Sequence, residues 1–140
     1  VDLSAQFHGR TLSNVILAPT RIYAKPMLQL MAQVPVKGLA HITGGGIVDN
    51  VPRILPGPLT ARIERASWPL PPLFGWLKQH GNVADEEMLR VFNCGIGMVA
   101  VVAAQHVEQA LQLLRGAGET VWRIGSIAVR STNEAQTVVT

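Results

Sequence analysis

Cysteine is almost missing from this sequence: Cys94 is the only one in 140 residues. A lone thiol excludes an internal disulfide and fits a reducing compartment, so a cytoplasmic protein is expected. Aromatic residues are scarce as well, with three Trp, one Tyr and three Phe, and the twelve Lys and Arg are scattered along the chain. Without clustered cations or stacking platforms, the net charge of +3 and the pI near 9.6 predict no nucleic-acid partner. They fit a modest attraction for a phosphorylated small molecule. No apolar run approaches the ~20 residues of a membrane span, and the first residues carry no signal-peptide pattern, so no membrane partner is expected. His, Cys and carboxylate residues nowhere show metal-ligand spacing, and no metal site is assigned.

Charged residues make up only 15% of the chain and hydrophobic ones 48%, enough for one domain with a substantial core. Such a balance fits either a well-filled α/β core or an apolar surface that a second domain or subunit covers. Helix and strand signals alternate. A helix is predicted near Pro26, with Met27, Leu30, Met31 and Val34 at helical spacing, followed by a buried strand over Gly38 to Ile42. Leu59 to Glu64 alternates as a strand, and the Pro-rich Trp68 to Pro72 segment is a connection or helix entry. Two helices follow, Leu73 to Gln79 ending at Gly81, and Ala84 to Phe92 with Asp85, Glu86 and Glu87 in its first turn. Ile96 to Val102 reads as a strand and Gln105 to Arg115 as a helix ended by Gly116 and Gly118. Val121 to Val129 and Gln136 to Val139 read as a strand pair joined by the polar loop Ser131 to Glu134. This order predicts a mixed sheet with helices packed on it.

The run His41-Ile42-Thr43-Gly44-Gly45-Gly46-Ile47-Val48-Asp49-Asn50-Val51-Pro52-Arg53 joins a strand to a helix whose apolar face is Ile47, Val48, Val51, Ile54 and Leu55. Free N–H groups and the dipole at that helix start favour phosphate or carboxylate, and absent Cβ atoms permit close approach. The same glycines equally fit a tight turn with no ligand. No Lys-Ser or Lys-Thr follows at P-loop spacing, and no third glycine stands where a dinucleotide fingerprint needs it.

Position suggests which side chains carry chemistry. If Ala40 and Ile42 face one side of the sheet, His41 and Thr43 face the other and converge at the turn, placed for an oxyanion or a proton in transit. The competing reading of His41 is structural. Asn50 and Arg53, three apart, would share a helix face, with Arg53 a phosphate partner by its planar fork or else one half of a surface ion pair. Thr20, Arg21 and Tyr23 together can grip a ribose phosphate; alternatively Thr20 is a helix N-cap and Tyr23 a core aromatic. Asn93 would reach the same cleft. Cys94 is either a nucleophile or, beside the apolar run that follows, a small buried hydrophobe.

Four stretches carry a resemblance: Leu17-Ala18-Pro19-Thr20-Arg21-Ile22-Tyr23, Gly38-Leu39-Ala40-His41-Ile42-Thr43-Gly44-Gly45-Gly46, Asn50-Val51-Pro52-Arg53-Ile54-Leu55-Pro56 and Phe92-Asn93-Cys94-Gly95-Ile96-Gly97-Met98. In order and spacing they resemble the C-terminal half of the aminoimidazole ribonucleotide synthetase family, the phosphoribosylformylglycinamidine cyclo-ligases. The resemblance covers nearly the whole chain. It implies a three-layer α/β/α domain with partial ferredoxin-like topology, and an N-terminal nucleotide-binding half to which nothing in residues 1–140 corresponds.

The implied reaction is the ATP-dependent closure of formylglycinamidine ribonucleotide to 5-aminoimidazole ribonucleotide in purine biosynthesis. ATP and Mg2+ would be held mainly by the N-terminal half, which would also make the homodimer contact. The expected catalytic residues are His41, Thr43 and Asn50. The expected substrate- and phosphate-binding residues are Thr20, Arg21, Tyr23, Gly44, Gly45, Gly46, Arg53 and Asn93. Alternatives are another ATP-dependent member of the superfamily, such as formylglycinamidine ribonucleotide synthetase, selenophosphate synthetase or thiamine-phosphate kinase, and a non-catalytic module that binds a phosphorylated ligand. The pairing of Thr-Gly-Gly-Gly with Asn-Val-Pro-Arg-Ile-Leu-Pro argues against the other enzymes.

Overall fold

Helix α2 (Ala24–Met31) and helix α6 (Val107–Gly116) lie together over a two-stranded antiparallel sheet of β3 (Val36–His41) and β5 (Met98–Val102) in the computed structural model, which describes residues 2–140. The periodicity explains the packing. Met27, Leu30 and Val34 from α2 and Ala110 and Leu114 from α6 are buried together, backed by Leu39, Met98 and Ala100 from the sheet. Complete burial of a residue such as Leu30 contributes about 1.5–3 kcal/mol. Pro26 is tolerated because it falls in the first turn of α2, where its missing N–H has no intrahelical acceptor.

A second core lies on the other face of β3. Ala40 and Ile42 join Ile47, Val51, Ala61, Ile63, Trp68 and Ile96 there. Over it stands a mixed three-stranded sheet in the order β6 (Gly125–Val129), β4 (Leu59–Ile63), β7 (Thr137–Val139). Helices α4 (Pro72–Gly81) and α5 (Asp85–Val91) follow β4, and α5 packs on the short helix α3 (Gly46–Asn50). A two-stranded ribbon, β1 (Gln6–Phe7) with β2 (Arg10–Thr11), and helix α1 (Leu12–Ile16) precede all of these. The architecture is mixed α/β, as the alternation predicts.

Three expectations require correction. The predicted final hairpin is absent: β6 pairs antiparallel and β7 parallel with β4, one on each edge. Along the crossing, the Glu134 carboxylate pairs with Arg62 of β4 at 3.0 Å and accepts from the Ser131 amide at 2.8 Å. Thr60 then donates to the Ala135 carbonyl at 2.7 Å. The predicted strand from Val121 begins only at Gly125, so residues 121–124 are irregular. Finally, the continuous helix predicted from Ile47 to Leu55 stops at Asn50, and Pro52, Arg53 and Ile54 form a separate 3₁₀ turn. A proline in the second turn cannot supply the N–H that an unbroken helix would need.

Candidate functional site

The C-terminal end of β3 delivers the glycine turn. Gly45 and Gly46 have φ of 95° and 55°, in the left-handed region that side chains resist. A Cβ on Gly46 would stand 1.9 Å from the Leu89 carbonyl oxygen, so this glycine lets α3 approach α5. A Cβ on Gly45 would meet Asp49 at 2.8 Å. Gly44 is different: its Cβ would meet nothing within 4 Å, and its φ is ordinary. Only this glycine is free of a packing reason.

Asn50, 3% exposed, sits behind the turn. Its Nδ2 donates to the carbonyls of Gly46 at 2.8 Å, Gly44 at 3.2 Å and Thr43 at 3.4 Å. With those carbonyls drawn inward, the Gly44 and Gly45 amides have no acceptor among the described residues; the Gly46 amide is already bonded to the Thr43 carbonyl at 3.0 Å. Asn50 therefore builds the turn from inside. It does not share a face with Arg53, because the helix breaks between them and Arg53 is exposed. A five-residue helix also has little dipole to offer, leaving the amides themselves as the polar feature.

His41 and Thr43 are exposed while Ala40 and Ile42 are buried, so the alternation along β3 runs as predicted. The His41 ring meets the edge of Tyr23 with centroids 6.1 Å apart. Tyr23 reaches on to Gly97, where a Cβ would lie 2.0 Å from the phenol oxygen. Burial, with the nearby Glu119 carboxylate, pushes the phenol pKa up, so Tyr23 keeps its proton and can donate it in a hydrogen bond. Beside it, Arg21 is fixed by Glu119: Nε lies 2.8 Å from Oε2 and Nη2 donates to Oε1 at 3.0 Å. Arg21 and Tyr23 stand on a trough of about 460 Å³ that runs along β5 and is walled opposite by Val121, Trp122 and Ile124.

The other predicted residues are less convergent. Thr20 is exposed, and the cap position of α2 falls to Tyr23, which makes no side-chain cap bond. Asn93 closes its own turn by accepting from the Gly95 amide at 3.0 Å. Cys94 is the small buried residue of the two alternatives: its thiol donates to the Met88 carbonyl at 3.3 Å, and burial pushes its pKa up, opposite to the need of a nucleophile. Sequence reasoning missed Glu119 and the role of Gly97. The Gly97 contact left a trace in the Gly-X-Gly spacing; Glu119 left only its place just past the glycines that end α6.

Comparison with known proteins matches residues 2–137 to the model described as "AIR synthase related protein, C-terminal domain". The chain belongs to this family. Among curated relatives, the phosphoribosylformylglycinamidine cyclo-ligase of Nitrosospira multiformis is 60% identical over 139 residues, covering 99% of this chain and 40% of the relative. Those of Burkholderia pseudomallei and Burkholderia mallei are 59% identical over 138 residues, covering 99% of this chain and 39% of theirs. The chain thus spans about two fifths of the curated relatives it matches, at their C-terminal part. As a member of the AIR synthase related family, it carries the glycine turn and the Tyr23–His41 contact on residues of the family-like stretches.

Proposed function

We propose that this chain is the C-terminal domain of a phosphoribosylformylglycinamidine cyclo-ligase, which uses ATP to close formylglycinamidine ribonucleotide to 5-aminoimidazole ribonucleotide. The observation that carries this reading is the 59–60% identity to cyclo-ligases across 99% of the chain. In the reaction the formyl oxygen is phosphorylated, an internal amine nitrogen attacks the activated carbon, and phosphate leaves as the imidazole ring forms. Such a step needs donors placed where negative charge develops.

Here the chain offers two sets. The free amides of Gly44 and Gly45, with the Thr43 hydroxyl beside them, form a wall suited to a phosphoryl group. Arg21 and the protonated Tyr23 suit the ribose phosphate, with Thr20 and Arg53 as outlying donors. His41, between the two sets, is placed to take or return a proton at the reacting nitrogen. Asn50 supports the wall without touching substrate. When bound, ATP would supply the phosphoryl group and Mg2+ would screen its charge. Following the resemblance, we assign the metal to the part of the relatives that this chain does not span. That part is also assigned the homodimer contact and most of the nucleotide site. Among the described residues no helix is long and apolar enough to cross a membrane; the cytoplasmic location is proposed from the purine-pathway reading alone.

Reconstitution tests the proposal. The chain alone should give no ring closure, whereas the chain joined to the N-terminal part of a curated relative should give ATP-dependent product. If the joined protein is folded and still turns over no formylglycinamidine ribonucleotide, the function is misassigned.

A further inference from the structure

Glu119 lies 98 residues from Arg21 in sequence and was marked by no motif, yet the guanidinium at the trough mouth is fixed by it. Two nitrogens of the fork are engaged: Nε lies 2.8 Å from Oε2, and Nη2 donates to Oε1 at 3.0 Å and to the Gly118 carbonyl at 3.2 Å. Nη1 has no partner among the described residues. Side-on pairing of this kind fixes the plane of a guanidinium as well as its position, and leaves the third nitrogen to face outward.

The carboxylate is itself rigidly mounted. At the end of α6 the Gly118 amide donates to the Arg115 carbonyl and the Glu119 amide to the Leu114 carbonyl, both at 3.0 Å, with Gly118 at φ 83°. This is a Schellman termination, in which the residue after the left-handed glycine has its amide locked to the last helical turn. Glu119's side chain is only 13% exposed, whereas that of Arg21 is 56% exposed. The anchor is sheltered and the group it holds is open to ligand.

We infer that Glu119 is a positioning residue for the phosphate end of the substrate, orienting Arg21 so that Nη1 meets a ribose phosphate at the Tyr23 mouth. The inference rests on the phosphate role proposed for Arg21 and adds its support. The rival role for the same pair is that Glu119 occupies Arg21 as an internal anion and must be displaced before ligand binds. The two roles differ in sign.

The test is a titration of the chain with ribose 5-phosphate, following the Arg21 Nε–H signal by NMR, in wild type, Glu119→Gln, Glu119→Asp, Arg21→Ala and the double variant Arg21→Ala/Glu119→Gln. Glu119→Gln keeps the size of the side chain but turns an amide N–H or a weaker acceptor toward the fork. It should weaken binding about five- to tenfold, the scale of one charge-assisted hydrogen bond, with Glu119→Asp partly restoring it. In the Arg21→Ala background, where binding is followed by the Tyr23 amide, Glu119→Gln should cost nothing further; a merely structural role would give the same loss in both backgrounds. Thermal melts of each variant check that the fold is intact. Unchanged or tighter binding by Glu119→Gln overturns the positioning role while leaving the phosphate reading of Arg21 in place. Wild-type protein that does not bind ribose 5-phosphate at this mouth overturns both.

Discussion

The glycine turn and the Arg21–Tyr23 mouth are built in opposite ways. The turn is held by nearby groups: Asn50, four to seven residues away, binds three of its carbonyls and the Gly46 amide bonds to Thr43, with α5 closing against Gly46. At the mouth, Arg21 is held from 97 and 98 residues away, and Tyr23 is seated on Gly97. A local unit can be rigid through buried hydrogen bonds, whereas an exposed charged pair adds little stability and chiefly fixes direction. Substitutions in the turn should therefore damage the fold first, and those at the mouth should alter binding first.

The sharpest way to break that contrast is Gly46→Ala. Its Cβ would overlap the Leu89 carbonyl at 1.9 Å and sit at φ 55°, so a loss of about 3 kcal/mol or more is expected in urea melts. Near-normal stability would mean that α3 does not press on α5. Asn50→Ala comes next, at about 1–3 kcal/mol, because the buried Gly46 carbonyl and the part-buried carbonyls of Thr43 and Gly44 lose their donor. Equal stability of the variant would show that the turn holds itself.

Cys94 gives a smaller, pH-dependent effect. Burial raises its pKa above the ordinary thiol value of 9.0, so the folded state holds the proton after the unfolded chain has lost it. The stabilisation is complete below that value and fades as pH rises through 9 and toward the folded pKa. Stability measured from pH 8 to 10.5 should fall more steeply in wild type than in Cys94→Ala; parallel curves would contradict the burial argument. The smallest stability change belongs to Gly44→Ala, within about 0.5 kcal/mol, since its Cβ enters open space. The same variant should weaken phosphate binding about tenfold by obstructing the amides. If Gly44→Ala binds as wild type does, the third glycine is a spacer.

What could be read from sequence follows the same division. Local signals carried well: the α2 stripe, the acidic start of α5, the glycines that end α6 and the alternation that exposes His41 and Thr43 are all set within a few residues. The shared face expected for Asn50 and Arg53 does not form, because spacing on an assumed long helix ignored Pro52; Asn50 is buried behind the turn and Arg53 is exposed. Long-range pairing was not legible. Nothing in residues 121–139 announces that β7 lies parallel to β4, since that pairing joins residues far apart in sequence, such as Ala61 with Thr137 and Ile63 with Val139. Glu119 was invisible for the same reason.

The most direct test of the account is an amide-shift map of the chain titrated with ribose 5-phosphate. The account predicts that the largest shifts fall at Arg21 to Tyr23, beside the His41 ring that Tyr23 meets. Largest shifts in the groove between α2 and α6, around Gln29 and Gln112, would place the ligand on another surface and contradict it.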